Sequence, residues 1–203
     1  MKPNIFLLLI DSLREDKFRK FCETHPNSNF KNLMENGIYF SQSISQADAT
    51  LLSLSSIFTG LFPFKTGIRS EKFNKMRSGV NTFFKNLKKS GYNFYGYYPT
   101  VVDLTNILPQ FQNDDSGKFS SPCITKDIDK KIVKLLDNLN SSWFVYLHCM
   151  DLHDPIHIPK KFDDKKIKTT YEKQIMAIDK SLGDIIKKID LEKTIFILTS
   201  DHG

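Results

Sequence analysis

The sequence predicts an α/β fold: a mostly parallel central sheet with helices on both faces. Three observations carry that expectation. Short apolar runs at residues 4–10, 143–150 and 194–198 have the length and composition of buried strands. Segments of helical periodicity lie between them, and strand–helix alternation is the pattern of a parallel sheet. The chain has 203 residues, 40% hydrophobic and 26% charged, which suits one domain over residues 1–203 with a sizeable core.

The elements follow in order. The run Asn4-Ile5-Phe6-Leu7-Leu8-Leu9-Ile10 is the first strand. A helix is expected over residues 12–22, with His25-Pro26-Asn27 as its break, because the residue before a proline is pushed out of helical backbone. A short helix follows over 30–35. Gly37 is its expected end cap, and Ile38-Tyr39-Phe40 begins a second extended piece. Leu51, Leu54, Phe58 and Leu61 recur at helical spacing behind Thr50, and Gly60 with Pro63 closes that helix. Another helix is expected over 80–90, ended by Gly91, and residues 92–98 read as a strand. Residues 103–125 read as irregular, with Asn113-Asp114-Asp115-Ser116-Gly117 as an exposed tip. Residues 127–139 are expected to be helical. The strand over 143–150 then leads into a polar loop at 151–159. A long helix over 171–189 precedes the last strand.

Net charge is +6, with an isoelectric point near 9.1. Lysine pairs such as Lys88-Lys89, Lys130-Lys131 and Lys187-Lys188 are scattered beside polar or acidic neighbours. A nucleic-acid interface needs a clustered basic face, so no nucleic-acid partner is expected, whereas a basic surface favours an anionic substrate. The three cysteines, Cys22, Cys123 and Cys149, have no metal-type spacing. An odd count makes a poor disulfide framework and points to a reducing compartment. Cys149 sits in an apolar run, as a small hydrophobe does. The first apolar run is too short for a signal core or a membrane span, and acidic residues follow it at once. A cytoplasmic chain without a membrane segment is therefore expected.

Two apolar runs end in metal-type ligands. Asp11 follows the first strand, and Asp201-His202 follows the last. Parallel sheets place their sites at the carboxyl ends of strands. Two carboxylates and an imidazole would make a divalent-metal shell if those strands are neighbours. On spacing alone, an Asp11 that caps the next helix and an Asp-His pair in a plain loop fit equally well. Thr50 stands at the N-cap position of its helix, where capping explains it. The same place suits an anion, and a nearby metal would turn the hydroxyl into a nucleophile. The loop Asp151-Leu152-His153-Asp154-Pro155-Ile156-His157 offers His153 as a proton donor or anion contact; a solvated turn is the plainer reading of the loop by itself.

Together the motifs resemble the sulfatase-like branch of the alkaline phosphatase superfamily. Pro3-Asn4-Ile5-Phe6-Leu7-Leu8-Leu9-Ile10-Asp11-Ser12 looks like its opening strand and metal-binding turn. Pro26-Asn27, Leu33 and Gly37-Ile38-Tyr39-Phe40 resemble its next segment. The stretch from Thr50 through Thr59-Gly60-Leu61-Phe62-Pro63 resembles its nucleophile helix. Leu147-His148-Cys149-Met150-Asp151-Leu152-His153-Asp154-Pro155 is similar to its substrate-side histidine loop, and Thr199-Ser200-Asp201-His202-Gly203 to its late metal motif. The resemblance spans the chain in the right order. It implies that Asp11, Thr50, Asp201 and His202 surround one divalent metal ion: manganese, magnesium, zinc or calcium. It further implies that Thr50 attacks phosphorus or sulfur and becomes esterified, and that His153 contacts the substrate or leaving group. The substrate would be a small-molecule, glycan or lipid-headgroup ester.

Departures from that pattern narrow the expectation. Sulfatases carry Cys or Ser, converted to an aldehyde hydrate, where this chain has Thr50. The Cβ methyl of threonine forbids that aldehyde. Leu52 and Leu54 stand where the family has Pro and Arg, Asp11-Ser12 replaces a pair of aspartates, and no Lys and His motif appears around Tyr97-Tyr98-Pro99-Thr100. The expected enzyme is thus a mononuclear, threonine-nucleophile hydrolase or transferase of phosphate or sulfate esters. The ending at Gly203 suggests a fragment, or else a short protein whose partner supplies the rest; the alternative to an enzyme is a truncated, inactive remnant that binds only metal or anion.

Overall fold

Four apolar runs form the strands β1 (Asn4–Ile10), β2 (Asn93–Tyr97), β3 (Trp143–Cys149) and β4 (Thr194–Thr199). They make one all-parallel sheet in the order β2-β3-β1-β4, in a computed structural model that describes residues 2–70, 72, 74–140 and 142–203. Parallel neighbours need long crossovers, and the helices supply them. These are α1 (Glu15–Thr24), α2 (Asn29–Glu35), α3 (Thr50–Thr59), α4 (Pro63–Thr66), α5 (Phe83–Lys89), α6 (Asp129–Leu136) and α7 (Thr170–Ile186). No helix among the described residues is long and apolar enough to cross a membrane.

Successive strand residues point to opposite faces, so each strand feeds two cores. Phe6, Leu8 and Ile10 join Val145, Leu147 and Cys149 in one core, with Phe18, Phe21, Phe30, Ile175, Ile178 and Leu182 from α1, α2 and α7. Leu7 and Leu9 join Phe144 and Tyr146 in the other, beneath Leu51, Leu54 and Phe58 of α3 and Phe84 of α5. Phe58 is fully buried, with its ring edge-on to Tyr146 at 5.4 Å. Full burial of one such side chain stabilises by about 2 kcal/mol. The expected helices on both faces are therefore present. The three cysteines are buried and free.

Several local expectations are corrected. The first helix begins at Glu15, not residue 12. Ser12 adopts a left-handed φ of 59°, and the N–H groups of Ser12 and Leu13 are taken by Asp201 Oδ1 and Ser200 Oγ. Asn36, not Gly37, caps α2, and Gly37 instead lies against the Leu33 carbonyl, where a Cβ would come within 2.9 Å. Residues 38–40 form no strand, and Ile38 and Phe40 are exposed. Thr50 is the first helical residue of α3, with Ala49 at the N-cap. The helix expected over 80–90 begins only at Phe83. The supposed exposed tip at 113–117 is tied down: Asn113 pairs with both backbone groups of Gly96 on β2, at 2.9 and 3.0 Å, and Asp115 binds Lys131 at 2.8 Å.

Candidate metal centre

The alternation that builds the two cores also builds the site. Leu9 pairs with His148 on one side and Thr199 on the other. Two residues beyond Leu9 and Thr199 stand Asp11 and Asp201, so both carboxylates and the His148 imidazole belong to the α3 face of the sheet. Helix α3 brings Thr50 over the same strand ends. Asp11, His148 and Asp201 are at most 1% exposed, and each offers a ligand atom within 4.8 Å of the others.

Thr50 Oγ1 lies 3.2 Å from Asp11 Oδ2 and 3.3 Å from His202 Nε2. His202 Nε2 is 3.9 Å from Asp11 Oδ1 and 3.6 Å from Asp201 Oδ2. The structure thus brings together the four residues that the family resemblance implied as ligands. Asp201 Oδ1 accepts from the backbone N–H groups of Ser12 and His202, at 3.2 and 2.9 Å. Asp201 Oδ2 is buried without a hydrogen-bond partner. A buried carboxylate oxygen left unpaired is costly, and a cation among oxygen and nitrogen donors would satisfy it. The residues present therefore fit a divalent metal. Ser53 Oγ (2.6 Å) and Ser45 Oγ donate to the Asp201 carbonyl and fix the turn.

The two carboxylates titrate in opposite directions. Burial pushes Asp11 up, but hydrogen bonds from His148 and Ser12 with the nearby imidazole charges outweigh it and hold Asp11 at about 2. Burial and the Asp11 charge push Asp201 above its usual range, against the pull of His148 and His202. An ionised Asp11 only accepts, so His148 Nε2, 3.2 Å from Asp11 Oδ2, carries a proton in the metal-free protein. Tyr146 OH contacts Nδ1 of the same ring at 2.9 Å, entirely within the core. Neither Tyr146 nor His148 was singled out from sequence. The available signal was parity: His148 is the one imidazole inside a strand that is otherwise apolar or aromatic, on the same face as Leu9.

His153 is not joined to this cluster by a hydrogen bond. It is exposed, and its Nδ1 contacts the Asp154 carbonyl at 2.8 Å. A carbonyl only accepts, so Nδ1 carries the proton and Nε2 is free for a ligand. His153 lines a cavity of about 330 Å³ with Ser121, Lys126, Asp151, His157 and Gln174. Beneath that loop, the buried Asp151 carboxylate accepts from the N–H groups of Ile124 and Thr125, the Thr125 hydroxyl and Gln174 Nε2. Asp151 therefore anchors the loop to α7 and to the turn before α6.

A family model described as sulfatase matches residues 3–203. No curated protein matches the chain. Solved structures share its fold. A putative sulfatase from Bacteroides thetaiotaomicron superposes with a TM-score of 0.73 at 14% identity, over 100% of this chain and 59% of its own length. The phosphonate monoester hydrolase of Agrobacterium radiobacter gives 0.75 at 13%, over 100% and 63%. The lipoteichoic acid synthase LtaP from Listeria monocytogenes gives 0.63 at 15%, over 98% and 56%. The chain therefore spans roughly three-fifths of the length of these structures.

Proposed function

The chain belongs to the sulfatase family, and we propose that it hydrolyses or transfers a phosphate or sulfate ester group with Thr50 as nucleophile and one divalent cation as cofactor. The observation that carries this reading is the position of Thr50 Oγ1, between Asp11 Oδ2 and His202 Nε2 at the first turn of α3. Free N–H groups at a helix start favour an anion beside that hydroxyl. Asp11, Asp201, His202 and Thr50 would hold the cation, with His148 packed against Asp11. A bound divalent cation would supply positive charge to the ester oxygens and lower the pKa of the threonine hydroxyl.

The protein's own groups have distinct tasks. Asp11, ionised far below neutral pH, orients the Thr50 hydroxyl. Thr50 loses its hydroxyl proton to solvent, its Oγ attacks phosphorus or sulfur as the bond to the leaving oxygen breaks on the opposite side, and Thr50 becomes esterified. His153, when protonated on both ring nitrogens, would donate from Nε2 to the substrate or to the leaving oxygen. Water or a second alcohol then releases the group. A phosphate ester is the favoured substrate, because threonine cannot form the aldehyde hydrate used in sulfate cleavage. The alcohol part would be a small molecule, a glycan or a lipid headgroup. We place this activity in the cytoplasm, in keeping with the buried free thiols.

The test uses the purified chain with manganese and para-nitrophenyl phosphate or sulfate. Thr50→Ala should abolish turnover while metal content stays near that of the wild type. A fully active Thr50→Ala protein would remove the nucleophile role. A wild-type chain that binds cation and turns nothing over would favour the inactive-remnant reading instead.

A further inference from the structure

We propose that α4 and the described residues around it, 61–70, 72 and 74–79, form a surface that docks peripherally on an anionic lipid bilayer. Leu61, Phe62 and Phe64 are 41, 58 and 59% exposed. The two phenyl rings stack on each other at 5.9 Å with an interplanar angle of 10°, and Lys65 Nζ lies 5.7 Å above the Phe64 ring. Scattered single apolar residues are normal on a surface, but three within four positions of one exposed turn are not. Nearby, Met76 N–H donates to the Thr105 carbonyl, beside exposed Val101 and Leu104.

The turn is held rigid from beneath. Gly60 and Gly67 adopt left-handed φ of 69° and 95° at its two ends. The buried Thr66 hydroxyl contacts Ser55 Oγ of α3 at 3.1 Å, and Arg77 N–H donates to the Thr66 carbonyl at 2.7 Å. The aromatic pair is thus presented outward by a scaffold and not by a loose loop.

Charge selects the partner. Lys65, Arg69, Lys72, Lys75 and Arg77 are all exposed within this segment, against the single acid Glu71 in its sequence. Several surface lysines elsewhere are ion-paired with acids, as in Lys130–Asp127, Lys187–Asp184 and Lys188–Asp137. Exposed apolar rings with a lysine over one of them and further exposed cations along the same segment match the boundary between acyl chains and headgroup phosphates, with the rings in the first layer and the lysines and arginines against the phosphates. A nucleic acid would need an open ring face for each stacked base, whereas these rings stack on each other. The ten-residue α3 puts roughly 15 Å between this turn and Thr50, so docking leaves the metal centre uncovered.

The experiment is vesicle co-sedimentation of the whole chain. One vesicle population is phosphatidylcholine alone, and the other is an equal mixture with phosphatidylglycerol. Binding is expected only to the mixed vesicles, weakening as salt rises. The double change Phe62→Ser with Phe64→Ser should lower the partition about tenfold or more. Lys65→Glu with Arg69→Glu should remove most of the preference for phosphatidylglycerol. Both variants should melt with the wild type, because these side chains lie outside the core. Equal binding to the two vesicle types, or binding unchanged by the phenylalanine replacements, would overturn the proposal. So would single-stranded polynucleotide binding that the mixed vesicles fail to compete.

Discussion

Replacing Asp201 with asparagine should raise the stability of the metal-free protein and abolish its stabilisation by a divalent cation. The two buried carboxylates of the centre offer ligand oxygens within 4.8 Å of each other. Two unit charges at that distance repel by about 3 kcal/mol at an effective dielectric of 20. Burial and the Asp11 charge push Asp201 above its usual range despite the neighbouring imidazoles of His148 and His202. Asparagine keeps Oδ1 as acceptor for Ser12 and His202 N–H. It places an amide N–H₂ where Oδ2 now has no partner, 3.6 Å from His202 Nε2. The expected gain in the metal-free state is about 1 to 2 kcal/mol, or about 3 to 6 °C in melting temperature for a chain of this size.

Wild-type protein behaves in the opposite way toward the cation. At a free manganese concentration of about 100 times Kd it should gain about 2.7 kcal/mol, a rise of about 5 to 10 °C. The Asp201→Asn protein should lose most of that increment. Thermal melts of both proteins in chelator and in manganese give the four values required. A metal-free variant several degrees less stable than wild type, or one that keeps the full manganese shift, would refute the reasoning.

Three further outcomes follow from the same contacts. Asp11 is held at about 2 against 3.8 in the unfolded chain, so in chelator it contributes about 2 kcal/mol that is present above pH 3.8 and lost as pH falls through about 2. Asp11→Asn should flatten denaturant stability across that window, and an unchanged acid slope would contradict the assignment. Asp151→Ala would strand four buried donors from Ile124, Thr125 and Gln174 at a cost of about 3 kcal/mol or more. Its melting temperature should fall by at least about 6 °C, and a wild-type melt would show the loop is anchored otherwise. A Cβ at Gly96 would collide with the Tyr146 carbonyl and come within 3.0 Å of the Phe111 ring. Gly96→Ala should therefore cost about 2 kcal/mol or more in urea titration, and wild-type stability would be inconsistent with this packing.

The sheet was legible because its strands are continuous apolar runs, and β1 begins and ends where the sequence places it. The helix starts were less so. Apolar spacing says nothing of a turn whose backbone donors are claimed from 189 residues away, as Ser12 is by Asp201. The loop at 113–117 has the composition of an exposed tip, yet Asn113 mimics a strand partner for Gly96. In the site, Asp11, Thr50, Asp201 and His202 stood out because each punctuates an apolar element. His148 was hidden inside one, where a polar residue reads as an exception to a strand. Composition could not place His153 either, since exposed loop positions depend on the packing of Asp151 below them.

Register is what unites these residues. Three adjacent strands, β3, β1 and β4, each contribute one buried group to a single face, and that face is set by counting twos from Leu9 and its partners His148 and Thr199. A slip of one residue in β4 would exchange Ile195 and Ile197 for Phe196 and Leu198 on the α3 face and turn Asp201 toward α1 and α7. The stacking of Phe6 on Phe196 at 5.3 Å and their shared core oppose that slip. The hydrophobic pattern that selects the fold therefore also selects the donor set. Thr50 is the one member set by a helix instead of a strand, and Ser53 of the same helix locks it by donating to the Asp201 carbonyl. The nucleophile's position thus depends on the docking of α3 against the very turn that carries the ligands.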